Sequence, residues 1–319
     1  MEKQLINEKL RSNLQKTDDE IIKLQLLLAY LFKKKEENIN DIWLDFEKEI
    51  KNKNRFFLEC KQRVFDLFDE CKSYAICKLN EKSKIYRART IDYSNFPEKT
   101  KKLFELSEKI NNSNFIAKIG NSNWEKLLTP DAKKVLEDVY NDDFWGYTEV
   151  ESDAPPSDKA TAQRANPEGI SYLYGAENIK TAISEMRPII SQYISVAEIE
   201  INKPLKLFDF ISTIKDADNT LWQEATIMKT IAKYMSKPNY GNIMDYLPTQ
   251  YICEMLRREF DFDGIRFKSS LTEGNNIVLF DTPGINGKHS NYKILNSSLY
   301  NIKTIIVEEE KILPIRKQK

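Results

Sequence analysis

Through the first eighty residues, apolar side chains recur every three or four positions, the period that gathers them on one face of a helix. Thr17 and Glu20 form a capping-box pair ahead of Ile21, Leu24, Leu28 and Leu31. Trp43, Phe46 and Ile50 suggest a second helix, and Phe57, Cys60, Val64, Phe68, Cys71 and Ala75 paint a third, continuous stripe. Residues 1–80 are thus expected to form an all-helical domain, a bundle or coiled-coil-like hairpin. Its side chains spell out no chemistry, so its expected role is assembly, as a homo-oligomer, or regulation. A fragment from about residue 81 is expected to keep the chemistry of the remainder.

At Ser83 the pattern changes. Lys84 to Thr90 reads as a strand, Trp124–Leu128 and Ala132–Tyr140 as helices, and Phe144 to Ala162, with Pro155 and Pro156, as a loop. Ile170, Tyr172 and Tyr174 alternate with Ser171 and Leu173. Asn178 is placed to cap a helix that runs past Glu185 and stops at Pro188. Tyr193–Ile201 and Leu205–Phe210 are β-branched or apolar runs, Leu221–Met235 is helical, and Pro248 opens a helix through Tyr251, Met255, Leu256 and Phe260. Two short buried strands, Gly264–Phe267 and Ile277–Asp281, follow. The fold class is therefore α/β (α+β), with a helical segment 1–80 and a second domain over 81–319 where chemistry is expected.

Charge narrows the partners. The 319 residues hold 49 Lys and Arg against 49 Asp and Glu, divided 16 to 15 over residues 1–80 and 33 to 34 beyond. No basic excess marks a nucleic-acid surface. Cys60, Cys71, Cys77 and Cys253 show no CxxC spacing and read as reduced core thiols, which points to the cytoplasm. Met1–Leu14 is polar, and the longest dense apolar run, Leu26–Phe32, is too short to cross a bilayer, so neither a secretory leader nor a membrane anchor is expected.

Several chemistries drop out. His289, the single histidine, cannot supply a Ser-His-Asp triad with its neighbours or a histidine metal site, and no metal is expected. Asp281-Thr282-Pro283-Gly284 with Gly287-Lys288 hints at a GTPase, but no GxxxxGK[ST] precedes it; nor is there a GxGxxG for a dinucleotide fold.

The densest chemistry lies between Gln163 and Glu185, where Asn166, Pro167 and Gly169 make a turn beside Arg164, and Glu185 shares a helix face with Thr181. A surface arginine, a half-buried strand and a solvated glutamate would account for the stretch taken alone. Three separated segments agree, however: Tyr86-Arg87; Arg164 to Ile170 with Leu173-Tyr174 and Ala182 to Glu185; and Asp263 to Ser270 with Gly274, Asn276 and Leu279-Phe280. Together, over about residues 84–285, they resemble the RES domain family, whose Arg, Glu and Ser fall on Arg164, Glu185 and Ser269. The resemblance implies an ADP-ribosyltransferase-like mixed sheet core and an enzyme that degrades NAD, often as the toxin of a toxin–antitoxin pair. Departures are the helical residues 1–80 and the long stretch between Arg87 and Arg164, which leave room for an effector under some other control.

On this reading NAD is substrate and no cofactor is needed. Breaking its nicotinamide bond expels a neutral group, so one carboxylate can replace the usual pair, and Glu185 supplies it. Arg164 offers a fork of donors to the pyrophosphate with Arg87 as a second contact; Tyr174 can stack, and Asn166 and Ser269 can hydrogen-bond. The expected activity is NAD glycohydrolysis, a toxin or defence effector depleting NAD in abortive infection, with an antitoxin or regulatory protein as partner. The alternative is a mono-ADP-ribosyltransferase, in which a protein side chain replaces water. A nucleotide-binding domain without turnover is the non-enzymatic reading.

Overall fold

The structure is a computed structural model that describes residues 42–73, 75–112 (106–112 as backbone only), 130, 133, 143–211, 231–237, 242–280 and 291–305. In chain order its elements are α1 (residues 42–52), α2 (Lys61–Cys71), β1 (Ile76–Leu79), β2 (Lys84–Thr90), α3 (Glu98–Asn112), α4 (Glu149–Ser152), β3 (Leu173–Ala176), α5 (Ile179–Glu185), β4 (Tyr193–Ile201), β5 (Leu205–Asp209), α6 (residues 231–236), α7 (Leu247–Arg258), β6 (Gly264–Lys268), β7 (Asn275–Leu279) and β8 (Tyr292–Asn301). Helices combined with mixed strand pairing make an α+β fold, as the sequence suggests. The helices expected at Ile21–Leu31 and Trp124–Leu128, the one at Ala132–Tyr140 apart from residue 133, and the Asp281–Gly284 element lie outside the described residues, as does His289.

The chain divides into two compact units, each stitched from three segments: Met1–Glu81, Ala154–Tyr174 and Lys203–Pro283 form one, and Lys82–Asp153, Gly175–Asn202 and Gly284–Lys319 the other. In the first, β1 pairs antiparallel with β5, β5 parallel with β6, and β6 antiparallel with β7. A parallel pair needs a crossover, and residues 210–263, which carry α6 and α7, supply it. One apolar core fills this unit. Trp43, Phe46 and Ile50 of α1 and Val64, Phe68 and Cys71 of α2 join Phe208, Phe210, Ile252, Leu256, Ile265 and Val278 in it. Phe68 meets Phe208 at 5.5 Å between ring centroids, Phe65 stacks on Phe260 at 4.8 Å, and Phe46 meets Tyr251 at 5.4 Å.

That shared core changes the domain picture. The chain does leave the first unit near residue 81, but the described part of the N-terminal segment has no core of its own: its two helices bury their stripes against β5, β6 and α7. The stripe itself also needs a correction. α2 begins at Lys61, so Phe57 precedes it and is 80% exposed, alongside Phe56 at 89%.

A buried carboxylate fixes the entry into α2. Glu49, 6% exposed, accepts from the main-chain N–H of Glu59 at 2.5 Å and of Cys60 at 3.2 Å, doing for this helix start what a capping side chain usually does. The Cys60 thiol holds its carboxyl below the ordinary glutamate range; burial opposes this, and the two amides add to it. Because the folded pKa is depressed, the stability it contributes is present above the unfolded value of about 4.3 and is lost as pH falls through the folded one. Glu49→Gln is expected to cost about 2 kcal/mol at neutral pH and to flatten the acid limb of a stability-versus-pH curve. Equal acid slopes in urea titrations of the two proteins would exclude this.

In the second unit the described strands are antiparallel: β2 pairs with β3 at Tyr86 and Ala176, with β4 along its whole length, and β4 with β8 through a bulge between Glu198 and Ile199. α5 lies on this ladder, its Ala182 and Ile183 packed with Ala88, Ala176, Ile194 and Val196. Gly175 suits the close passage of β3 by β2, since a Cβ there would stand 3.1 Å from the Tyr86 carbonyl oxygen, a tight contact.

Candidate functional site

The turn before β3 is over-determined by hydrogen bonds. Gln163 N–H donates to the Asn166 carbonyl at 2.9 Å, Gly169 N–H to Ala160 at 2.9 Å, and Gly169 takes φ +82, a left-handed conformation that glycine adopts without strain. Asn166 sits at its centre, 2% exposed, and its Nδ2 donates toward the carbonyls of Thr161, Pro167 and Ile170 at 3.1, 3.0 and 2.7 Å. Tyr174 Oη donates to Asn166 Oδ1 at 2.7 Å and accepts from Ala165 N–H at 3.0 Å. Burial pushes the Tyr174 hydroxyl far up, so it stays protonated. Gln250 and Thr249 of α7 reach the same turn, donating to the Gln163, Asn166 and Arg164 carbonyls at 2.7 to 2.9 Å.

The effect is to aim Arg164. Its Nη1 donates to the Tyr234 carbonyl at 2.6 Å and its Nη2 to that of Lys237, carbonyls at the end of α6 where a cation is favoured. Its guanidinium lies 5.7 Å from the Tyr246 ring centroid. Ser269 is drawn to the same helix end from another direction. Ser236 Oγ donates to the Lys268 carbonyl at 2.9 Å, and the next residue, Ser269, 5% exposed, organises the β6–β7 turn by accepting from Leu271 N–H at 3.1 Å and donating its own N–H to Gly274 at 3.0 Å. Arg164 and Lys268, the residue before Ser269, a hundred residues apart in sequence, thus both bond to the end of α6, while Asn166 and Tyr174 stay inside the turn that carries Arg164.

Arg87 and Glu185 belong to the second unit. Arg87 is half-buried on β2 opposite Ala197, and strand alternation puts it on the face away from Tyr86 and Ala88, against which α5 packs. Glu185 is the last residue of α5, half-buried. The helix start is the one its sequence announces, with Asn178 Oδ1 accepting from Thr181 N–H at 2.8 Å.

One pocket among the described residues was not foreseen from sequence. Beside Arg164, a small solvent-open recess with a cavity volume of about 30 Å³ is lined by Glu47, Lys51, Arg164, Tyr234, Lys237, Asp245 and Tyr246. Lys51 Nζ stands between two carboxylates, 2.6 Å from Glu47 and 2.8 Å from Asp245, and Tyr234 Oη donates to Glu47 at 3.1 Å. Burial works against the Lys51 charge, but the bonds to Asp245 and Glu47 outweigh it and hold its pKa above the ordinary lysine value. The i, i+4 spacing of Glu47 and Lys51 was readable, though as a solvated helix pair. Among the described residues no cluster of His, Cys, Asp and Glu could hold a metal ion, and no helix is long and apolar enough to cross a membrane.

Compared with family models, residues 136–293 match the one described as the RES domain. No curated protein and no solved structure matches.

Proposed function

Because the chain belongs, through residues 136–293, to the RES domain family, which is linked to NAD-related toxin function, we propose that it is an NAD glycohydrolase. The observation that carries this reading is the family match, together with the bonding of Arg164 and of Lys268, the neighbour of Ser269, to one helix end. Arg164 serves the pyrophosphate, with Arg87 as a second cation. Asn166 and Tyr174, whose polar groups are spent inside the turn, act by positioning Arg164. Glu185 stabilises the positive charge that develops on the ribose as the C1′–nitrogen bond to nicotinamide breaks, and takes the proton of the water that forms the new C1′–oxygen bond. Nicotinamide leaves neutral with the bonding pair, so no general acid is required. Ser269 orients substrate or carboxylate. The setting proposed is the cytoplasm, with NAD depletion as the outcome.

Incubating the purified chain with NAD tests the reading. Free ADP-ribose and nicotinamide are expected; label on protein instead would mean a mono-ADP-ribosyltransferase, and unchanged NAD would sink the proposal. Arg164→Ala is expected to raise KM at least tenfold and to lower Tm by several degrees, since the Tyr234 and Lys237 carbonyls lose their donor. Arg164→Lys should recover only part of both, because a point charge cannot reproduce two diverging donors. Wild-type KM in both variants would remove Arg164 from the site.

A further inference from the structure

Between α5 and β4 the chain turns through residues 187–191, and both ends of that turn lie in the left-handed region, Arg187 at φ 47 and Ser191 at φ 69. Neither is glycine, so both positions are strained and persist only because their surroundings fix them. Hydrogen bonds do this. Arg187 N–H donates to the Ser184 carbonyl at 2.9 Å, Gln192 N–H to that of Ile189 at 3.2 Å, and Ile189 N–H to Gln192 Oε1 at 3.0 Å. Ser191 N–H donates to the Ile302 carbonyl at 2.7 Å, and Ile302 N–H to that of Gln192 at 3.0 Å. What the fixed turn presents is apolar: Ile189 and Ile190 are 68% and 59% exposed. A single exposed apolar side chain is ordinary, whereas two adjacent isoleucines held outward by a strained, hydrogen-bonded turn form a surface suited to being covered.

The same unit brings chain to this spot. The two bonds of Ile302 set the residue after β8 beside the turn, and Ile305, three residues on, is 45% exposed as well. Ile305, Ile306 and Val307 are an apolar β-branched run, followed at once by Glu308, Glu309 and Glu310; residues 306–319 lie outside the described ones. The surface beside them matches that order, since Arg187 and Lys303, both exposed, add cations to the two isoleucines. Reach is no obstacle, as the five residues after Ile302 span about 16 Å when extended. We infer that residues 305–310 of this same chain cover the turn, Ile306 and Val307 lying on Ile189 and Ile190 and the three glutamates against Arg187 and Lys303. The turn follows Glu185, the last residue of α5, so the covering segment also braces that helix end. This docking holds or fails independently of the NAD reading.

Maleimide labelling of Ile190→Cys in the full chain tests it. Cys60, Cys71 and Cys253 are buried and Cys77 is half-buried, so wild-type labelling is subtracted as background. The new thiol is expected to react about tenfold more slowly than it does once Ile306→Asp and Val307→Asp are added, while the melting curves of the two proteins coincide. Glu309→Lys with Glu310→Lys, added instead, should give a rate between the two. Protection should also be the same at low and high protein concentration, as contact within one chain requires. Rapid labelling of Ile190→Cys alone would overturn the inference by showing the turn uncovered, and protection that survives the two aspartates would overturn it by showing that something else covers the turn. Protection that fades on dilution would assign the turn to a second copy and overturn it likewise. Should Ile190→Cys itself shift the melting curve, Ile189→Cys is the probe, read in the same way.

Discussion

A fragment beginning at residue 81 is expected to be insoluble or unfolded. The sequence pattern, with its helices apparently self-contained, argues for a detachable N-terminal domain; the packing argues against it. Removing residues 1–80 strips Trp43, Phe46, Ile50, Val64 and Phe68 from a core they share with Phe208, Ile252 and Ile265, and it deletes edge strand β1 from β5. Truncating one buried Phe or Trp costs about 3 to 5 kcal/mol, and a domain is stable by only about 5 to 15, so losing three such side chains together with Ile50 and Val64 exceeds what the fold can absorb. Phe68→Ala alone should lower Tm by about 10 °C. Far-UV circular dichroism and thermal melting of fragment and full chain give the answer. A cooperative melt at the full-length temperature would show that residues 1–80 are an appendage after all.

The second large effect is expected at Glu185. Glu185→Gln keeps size and helix propensity at the last position of α5, where Thr181 and Ala182 already hold the helix against its neighbours, so the fold should persist. If the carboxylate stabilises charge that develops only as the glycosidic bond breaks, turnover falls by about 10² or more while NAD affinity changes little. Rates of NAD loss and calorimetric affinity on one preparation read both. Hydrolysis at the wild-type rate would make Glu185 an ordinary helix-end residue; a variant with matching melting curve and lost turnover supports the role, and Glu185→Asp, which keeps the charge but withdraws it by one methylene, should sit between the two.

What could be read beforehand follows the strength of local signals. β4 and β5 carry apolar or β-branched runs, and α7 begins at Leu247 with Pro248 in its first turn, where the sequence puts it. At β3 the strand runs Leu173–Ala176, later than the Ile170–Tyr174 alternation predicts; Ile170, Tyr172 and Tyr174 do meet one cluster, but Ser171 and Leu173 between them are buried too. β1 was invisible because four residues of half-exposed edge strand hold no period, and pairing with β5 alone makes them a strand. β8, with Asn296, Ser297 and Ser298 at its centre, reads as loop until β4 supplies nine partners. For the site, Arg164 and its turn were legible because Asn, Pro and Gly have local meanings. The pocket was not, since Glu47, Lys51 and Asp245 meet only through tertiary contacts.

The division of each unit among three stretches of sequence bears on how the protein is made. During synthesis α1 and α2 emerge long before β5, α7 and β6, whose side chains cover their apolar faces. About two hundred residues must leave the ribosome in between, which at about 5 to 20 residues per second exposes Phe46, Val64 and Phe68 for ten seconds or more. If the chain consumes NAD as proposed, such an order has a use. The turn that aims Arg164 closes only when α6 and α7 have been added, so interrupted translation yields chains that cannot hydrolyse anything and that display the hydrophobic surface by which chaperones and proteases find them.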